Sequence, residues 1–261
     1  MLRVRFEVGY DGTDFCGWQR QNHEGRPSLQ QTLEEAFSRL FDQKISISAS
    51  GRTDAGVHAL RQICHFDVAA PEARFTNWDL PYALSRFLPT TIVVRRVWLA
   101  PSDFHSTLSA VRKTYRYLIW NHPRPSPLLR RYTHWSRHPL DLARLQAMAE
   151  VFKGEHDFKS FQSSGTPVRH TVRRIFRSEW CLRKSGLLEY RVTGSGFLKQ
   201  MVRNMVGAQL HLHKVGGDPA AIQKILDALD RSQAPAPAPP EGLCLLKVYY
   251  PADLDNQCRE L

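Results

Sequence analysis

Apolar residues occupy every second position from Leu2 to Tyr10, and mostly charged residues stand between them. A period of two puts successive side chains on opposite faces of a strand, so we expect a half-buried β-strand with one basic face. No signal-type apolar segment precedes this strand. No apolar run approaches the roughly 20 residues that span a bilayer. We therefore expect a soluble protein that is not exported.

The rest of the first half alternates between helix and strand patterns. Ser28 and Gln31 have the spacing of a capping box, and apolar residues follow one helical face as far as Phe41. Strand patterns cover residues 45–50, 61–68 and 92–98, and a helix pattern covers residues 76–86. Together with the first strand they give a βαββαβ order.

The second half repeats this order loosely. Strand patterns cover residues 113–120, 171–181 and 187–193, and helix patterns cover residues 141–153 and 197–215. Alternating Ala and Pro residues at 234–240 predict an extended connector to a last strand at 243–250. These patterns favour an α+β fold of two related halves, residues 1–105 and 106–261, with mixed or antiparallel RRM-like or ferredoxin-like sheets flanked by helices. A single large α+β domain is the alternative.

The charge balance points to a polyanionic partner. Lysine and arginine outnumber aspartate and glutamate, and the formal net charge is +11. Such a surplus favours nucleic acid or an acidic surface, although a merely basic protein is the alternative. The five cysteines contain no CxxC pair and are odd in number. We therefore expect neither a disulfide framework nor a zinc ribbon, and a reducing cytoplasm fits best.

The most informative segment is Ser50-Gly-Arg-Thr-Asp-Ala-Gly-Val-His-Ala59, which falls between two predicted strands. Gly51 and Gly56 allow the backbone to turn, and Arg52 stands two residues before Asp54. A nearby guanidinium favours the ionised carboxylate. An ionised carboxylate is a usable nucleophile when water is excluded and its target is held in place. On these residues alone, Asp54 could instead be a residue that only caps the amides of a turn.

Several further motifs accompany this segment in a fixed order. They are Tyr10-Asp-Gly-Thr-Asp-Phe-Cys-Gly-Trp-Gln-Arg-Gln21, Gly51-Arg-Thr-Asp-Ala-Gly-Val-His58, Lys113-Thr-Tyr-Arg-Tyr117, His156-Asp-Phe158, Phe197-Leu-Lys-Gln-Met-Val-Arg-Asn-Met-Val-Gly207 and Glu241-Gly-Leu243. The set resembles the bacterial tRNA pseudouridine synthase A family over about residues 10–250. The resemblance implies the pseudouridine synthase fold, with an active-site cleft between its two halves. It also implies isomerisation of uridine to pseudouridine at positions 38, 39 and 40 in the anticodon stem-loop of tRNA.

The resemblance implies a role for each site residue. Asp54 is the expected nucleophile, attacking C6 of the uracil or C1′ of the ribose, and Arg203 is the expected partner that keeps Asp54 ionised and oriented. Arg52 is expected to enter the RNA and help extrude the target base. Tyr115 is expected to lie against that base, with its hydroxyl helping to remove the C5 proton. Leu243 is expected to pack on the flipped base, whose extrusion costs a few kcal/mol.

From the residue types alone, blander interpretations remain for the same positions. Arg52 and Arg203 could be surface cations, and Leu243 could only pack in the core. The two tyrosines of the strand at 113–120 fall on one face, where aromatic residues usually pack, and core packing alone is the prediction for Tyr117.

Nine cationic residues lie in segments expected to frame the cleft: Arg112, Lys113, Arg116, Arg130, Arg131, Arg169, Arg173, Arg174 and Arg177. Phosphate contact is their functional interpretation, and a solvated surface is the alternative. Lys113 and Arg116 stand in a motif of the resemblance and are therefore predicted to bind substrate. Thr107 stands where the family commonly has an arginine, which puts one RNA contact in doubt.

Two rival functions differ in class. A non-catalytic RNA-binding protein would use basic and aromatic residues, but no RNP-type aromatic signature is visible. An Asp-dependent hydrolase or phosphotransferase would need a phosphate loop or metal ligands, and no Gly-x-x-x-x-Gly-Lys segment occurs. The isomerisation is redox-neutral, so we expect no cofactor and no metal. The expected partners are the anticodon arm of tRNA and, by the resemblance, a second copy in a homodimer, without a membrane.

Overall fold

The structure is a computed structural model that describes residues 1–20, 25–69, 75, 79–165, 168–183 and 186–261. By internal packing these residues form two units. The first comprises Met1–Val111 with Leu245–Leu261, and the second comprises Arg112–Cys244. The sequence-based division between residues 105 and 106 stays a prediction.

Strands and helices alternate along both units. The strands are β1 (Leu2–Tyr10), β2 (Ser48–Ala49), β3 (His58–Val68), β4 (Ile92–Ala100), β5 (Arg112–Asn121), β6 (His134–Ser136), β7 (Gly154–Asp157), β8 (Val172–Leu182), β9 (Leu187–Gly194), β10 (Leu243–Tyr249) and β11 (Arg259–Glu260). The α-helices are α1 (Leu29–Phe41), α2 (Leu80–Ser85), α3 (Leu142–Glu150), α4 (Met201–Val215), α5 (Pro219–Asp227) and α6 (Ala252–Gln257). The predicted α+β class with largely antiparallel strands is confirmed.

In the first unit the strand order is β11, β4, β1, β3, β10, and β2 pairs with β3. β1 runs antiparallel to both of its neighbours. Its apolar face is buried from Val4 to Tyr10, as predicted. The prediction that the strand is only half-buried is wrong, because Arg5 and Glu7 on the other face are buried as well. The Arg5 guanidinium lies 4.8–5.1 Å from the rings of Trp98, Phe104 and Tyr250. The aromatic residues and the C-terminal segment therefore cover this face.

Helix α1 forms where the capping residues predict it. The Ser28 hydroxyl accepts a hydrogen bond from the Gln31 N–H at 3.2 Å, which satisfies a first-turn donor. The Phe37 ring packs 4.8 Å from the rings of both Phe6 and Phe66. The strand predicted at residues 45–50 is reduced to β2. The helix predicted at 76–86 is described only as α2, since residues 76–78 lie outside the described part of the chain.

In the second unit the strand order is β5, β9, β8, β7, and β6 runs parallel to β5. A buried network joins this sheet to helix α4, where the Trp180 indole N–H donates to Gln209 Oε1 at 2.8 Å. Helix α4 begins at Met201, later than the pattern predicts, because Gln200 has a φ of 58°. Among the described residues, no helix is long and apolar enough to cross a membrane.

Candidate active site

Asp54 lies in the loop that connects β2 to β3. Its backbone forms an isolated antiparallel bridge with Gly17. The Asp54 carbonyl accepts from the Val57 N–H at 3.1 Å, and Gly56 turns the chain with a φ of 78°. At the loop's start the Ser50 N–H donates to the Ile63 carbonyl at 2.8 Å. The half-buried Asp54 therefore stands on a backbone fixed on both sides.

The described part of the opening motif, residues 10–20, supports this loop. The Trp18 N–H donates to the Thr53 carbonyl at 2.9 Å. The hydroxyls of Tyr10 and Thr53 share a buried hydrogen bond of 2.9 Å. Two motifs that the sequence separates by some thirty residues are thus joined at the residue next to Asp54. The residue types did not single out Thr53, because its position in the turn gives no sign of a distant partner.

Two glycines allow this close approach. A Cβ added at Gly12 would lie 2.7 Å from the Val57 carbonyl carbon, with the oxygen closer still. A Cβ added at Gly17 would lie 3.0 Å from the Thr53 carbonyl oxygen, and the φ of Gly17 is 112°, where other residues are strained. Glycine is therefore required on the supporting motif as well as in the loop.

His58 closes the far end of the loop. Its Nδ1 atom accepts from the Gly12 N–H at 3.1 Å and lies 3.2 Å from Asp11 Oδ1. The same carboxylate oxygen accepts from the N–H and the hydroxyl of Thr13 at 3.0 and 2.6 Å. His58 is buried and received no role from the sequence, although it ends the catalytic-loop motif. Its contacts indicate that it fixes the opening motif against the loop.

Arg52 faces solvent, whereas Thr107 is bonded to the strand that precedes the loop. Arg52 lies two residues before Asp54, and its exposure is what contact with a partner requires. The Thr107 hydroxyl donates to the Ala49 carbonyl at 2.6 Å, and the Ser106 hydroxyl donates to the Ser48 carbonyl at 2.9 Å. The threonine in place of the family arginine therefore binds β2, the strand that leads into the loop.

In the second unit, Tyr115 on β5 lies beside Phe197. Their ring centroids are 5.1 Å apart with an interplanar angle of 80°, an edge-to-face arrangement. Tyr115 keeps 8% of its surface exposed. Tyr117 is fully buried, as predicted for a packing residue, and its hydroxyl donates to the Pro239 carbonyl at 2.8 Å. Phe197 begins a motif of the resemblance, but its contact with Tyr115 depends on tertiary structure.

Arg203 contacts the Ala/Pro connector, and Leu243 follows its C-terminal end. Arg203 is in the first turn of α4, and its Nε donates to the Ala238 carbonyl at 2.8 Å. The Ala238 N–H donates back to the Arg203 carbonyl at 2.9 Å. Leu243 is the first residue of β10 and is buried. The connector is therefore tied to the residue proposed from the resemblance as the partner of Asp54.

Lys113 and Arg116 share β5 with Tyr115. Burial of its side chain and the nearby charge of Arg173 lower the pKa of Lys113 to about 8. The Arg116 Nε atom is buried and has no hydrogen-bond partner within the described parts of the chain, and Arg116 stands opposite Arg191 on β9. A second cation therefore lies near each of these two residues.

The structure thus brings Arg52 and Asp54 together in one loop and Lys113, Tyr115 and Arg116 together on one strand. Arg203 lies on α4, and Leu243 is one of the two β10 residues that belong to the second unit, since the rest of that strand belongs to the first. Over the described ranges, no group of three His, Cys, Asp or Glu residues could hold a metal ion.

Known proteins match this chain along most of its length. A family model described as tRNA pseudouridine synthase matches residues 8–106 and 148–251. A tRNA pseudouridine synthase A from Bdellovibrio bacteriovorus is 55% identical over 259 residues, covering 99% of this chain and 99% of that protein. The protein of the same name from Maridesulfovibrio salexigens is 41% identical, covering 96% and 91% of the two chains. The one from Solidesulfovibrio magneticus is 43% identical, covering 97% and 92%.

Proposed function

Since this chain belongs to the tRNA pseudouridine synthase family, we propose that it isomerises uridine to pseudouridine at positions 38, 39 and 40 in the anticodon stem-loop of tRNA. The family assignment makes it an isomerase that acts on uridine in tRNA. The observation that carries the proposal is the Asp54 loop, whose backbone is bridged to Gly17 and fixed by Trp18. Relatives named tRNA pseudouridine synthase A support the substrate.

Asp54 supplies the nucleophile. Its carboxylate forms a bond to C6 of the uracil or to C1′ of the ribose, the bond from N1 to C1′ breaks, and C5 bonds to C1′. The bond between Asp54 and the substrate then breaks, which restores the carboxylate. The C5 proton leaves and N1 gains a proton, so the product is an isomer and no electrons are gained or lost. A carboxylate on a fixed backbone needs little reorganisation before it attacks, which is how positioning lowers a barrier.

Tyr115 and Leu243 receive the uracil in this proposal. The edge-to-face contact with Phe197 limits the rotation of the Tyr115 ring, so the ring can offer a fixed surface to a base. Its hydroxyl takes part in removal of the C5 proton. Leu243 adds apolar contact, which offsets part of the cost of unstacking the nucleotide.

The four cations have different tasks. Arg52 is exposed and displaces the target base from its stack. Arg203 keeps Asp54 ionised, and its backbone and Nε contacts with Ala238 support an oriented guanidinium. Lys113 and Arg116 bind phosphate, since a polyanion compensates charges that the protein leaves crowded.

The proposal includes a location and an oligomeric state. A tRNA-modifying enzyme works where tRNA matures, so the cytoplasm is the proposed site of action. A homodimer, in which one tRNA touches both copies, is carried over from the resemblance, and the net charge of +11 suits a polyanion that extends over a wide surface.

Modification mapping tests the proposal. Purified protein is incubated with unmodified tRNA transcripts, and pseudouridine is read as a carbodiimide adduct that blocks reverse transcription. The expected result is stops at positions 38, 39 and 40 and no change in tRNA mass. The same stops should disappear from tRNA of cells that lack the protein. The proposal would be overturned by stops at other positions only. It would also be overturned if folded protein and folded tRNA gave no stops.

A further inference from the structure

Phe176 is an exposed aromatic residue on β8. Its side chain retains 44% exposure, whereas Ile175, Ser178 and Trp180 on the same strand are buried. The pairing of β8 with β9 shifts register between Ile175 and Arg177, which is where Phe176 stands. A register shift of this kind often redirects a side chain toward a function.

Two guanidinium groups flank this ring. Arg112 Cζ lies 5.6 Å and Arg174 Cζ lies 5.9 Å from the ring centroid of Phe176. Both arginines are themselves exposed. Cation–π contacts at these distances hold the ring in place without covering it with apolar side chains. The arrangement is an aromatic surface inside a cationic frame.

The charge around Phe176 is predominantly positive. Lys113, Arg173 and Arg177 add to the two flanking arginines, and the charge of Arg173 lowers the pKa of Lys113. Four acidic residues oppose them: Glu155 stands across from Arg174 on β7, Glu179 pairs with Arg177, Asp157 acts on Arg173, and Glu189 acts on Arg177. Glu189 is itself paired with Arg183 and Arg191. With these two arginines, seven cations against four carboxylates leave a surface that favours an anionic partner.

This surface is joined to the residues that hold Tyr115. The Ser195 N–H donates to the Arg174 carbonyl at 2.9 Å, and the Arg174 N–H donates to the Ser195 hydroxyl at 3.1 Å. Ser195 is two residues before Phe197, whose ring contacts Tyr115. Phe176 and Tyr115 therefore belong to one end of the same sheet.

We propose that Phe176, framed by Arg112 and Arg174, is a second nucleobase-stacking site, which takes an unpaired base of the tRNA near the target uridine while the arginines bind the flanking phosphates. The inference rests on the proposed function. Proteins that bind single-stranded RNA combine an aromatic face with a cationic groove, because every base has a π-face and every linkage a charge. Such a site accepts any base, so it adds affinity without base-edge readout.

Binding measurements with full-length protein and tRNA at several salt concentrations test the site. Phe176→Ala and Phe176→Leu should weaken binding roughly tenfold, and Phe176→Tyr should stay near the parent, because stacking needs a flat ring. The loss should be equal at every salt concentration. Arg174→Gln should instead flatten the slope of log K against log salt by about 0.7–0.9, the contribution of one phosphate. Phe87→Ala, at a phenylalanine with 41% exposure in the first unit, is the matched control and should change nothing.

Abasic nucleotides identify the partner base. One abasic position in the anticodon loop should weaken binding to the parent about as much as Phe176→Ala does, and should add no further loss in that variant. Parent-like binding by Phe176→Ala would overturn the site. So would a change in its sedimentation with unchanged tRNA affinity, which would mark Phe176 as a protein contact. These readouts need no turnover, so a failure to form pseudouridine would overturn the proposed function without deciding the stacking site.

Discussion

At the scale of single residues, Asp54 is the position with the sharpest expectation. Asp54→Asn keeps the volume and most hydrogen bonding of the side chain but removes the nucleophile, so isomerisation should be abolished. Folding and tRNA affinity should stay near those of the parent, since the loop is fixed by backbone contacts. Carbodiimide mapping measures isomerisation, and filter binding measures tRNA affinity. Asp253→Asn, at an exposed carboxylate in α6, is the control. Clear residual turnover in a pure preparation would remove Asp54 from this role.

Tyr115 and Tyr117 offer a matched pair on one strand. Tyr115→Phe keeps the ring against Phe197 and removes the hydroxyl, so single-turnover rates should fall by roughly 10²–10⁴ if proton transfer needs it. Tyr117→Phe loses a buried hydrogen bond to Pro239 and should cost about 0.5–1.5 kcal/mol of stability. Its rate should stay near the parent's. A Tyr115→Phe enzyme as fast as the parent would leave that residue with packing alone.

His65 is predicted to make stability depend on pH. Burial, with the nearby His105 and Arg3, lowers the pKa of His65 to about 4, and its Nδ1 accepts from the Ser106 N–H at 3.2 Å. The unfolded chain, with a pKa near 6.5, takes up the proton first as pH falls. The contribution of His65 is therefore complete above about pH 6.5 and is lost progressively toward pH 4.

Urea midpoints from pH 7.5 to 4.5 measure this effect. The advantage of the parent over His65→Gln should shrink as the pH falls through that range. His211→Gln, at an exposed histidine, should follow the parent at every pH. A constant difference between the parent and His65→Gln would mean that the protonation of His65 does not differ between the folded and unfolded chains.

At the scale of elements, periodicity and caps were sufficient where an element is long. β1 and α1 follow from alternation and from Ser28, and both form over the expected residues. The short strands β6, β7 and β11 were missed because two to four residues carry no period, and their hydrogen bonds depend on partners distant in sequence.

Some residues of the candidate site could be predicted from local sequence, and others depend on partners distant in sequence. The glycines and charges of the loop indicated Asp54 and Arg52 locally. The support from Gly12, Gly17 and Thr53 could not be derived, because it arises only when two loops meet in the folded unit. The contact between Tyr115 and Phe197 is of the same kind.

The contact between the opening motif and the loop yields a prediction. Gly12→Ala introduces a Cβ 2.7 Å from the Val57 carbonyl carbon, so one of the two backbones must move. Unfolding should become easier by roughly 1–3 kcal/mol, and turnover should fall more than tRNA affinity because Asp54 is displaced. Thermal unfolding and single-turnover rates measure both. Gly196→Ala, whose Cβ would meet Arg173 at 3.5 Å, is the control for stability. Unchanged turnover in Gly12→Ala would mean that the contact between the opening motif and the loop does not position Asp54 for the reaction.

At the scale of the whole molecule, the cations are unevenly distributed along the chain. No Asp or Glu occurs between Asp103 and Asp141, and seven Lys or Arg residues do. Arg124, Arg130 and Arg137 of this stretch are exposed. A long stretch without acidic residues attracts a phosphate backbone whatever bases that backbone carries. The RNA is then recognised by its charge and shape and not by base identity.

Recognition of this kind predicts how tRNA fragments behave. One pocket that serves positions 38, 39 and 40 must accept nucleotides at three distances from the tRNA elbow, so contacts outside the anticodon arm have to carry much of the binding energy. An isolated anticodon stem-loop should therefore be modified far more slowly than full tRNA, while changes of the bases beside the target should matter little.

A variant in which Arg124, Arg130 and Arg137 are replaced by Gln tests the charge component. Its affinity for full tRNA should fall, and the slope of log K against log salt should become shallower. Equal rates on the stem-loop and on full tRNA, or dependence on one neighbouring base, would mean that local base contacts select the uridine. A salt slope in the triple variant as steep as the parent's would mean that other cations contact the backbone.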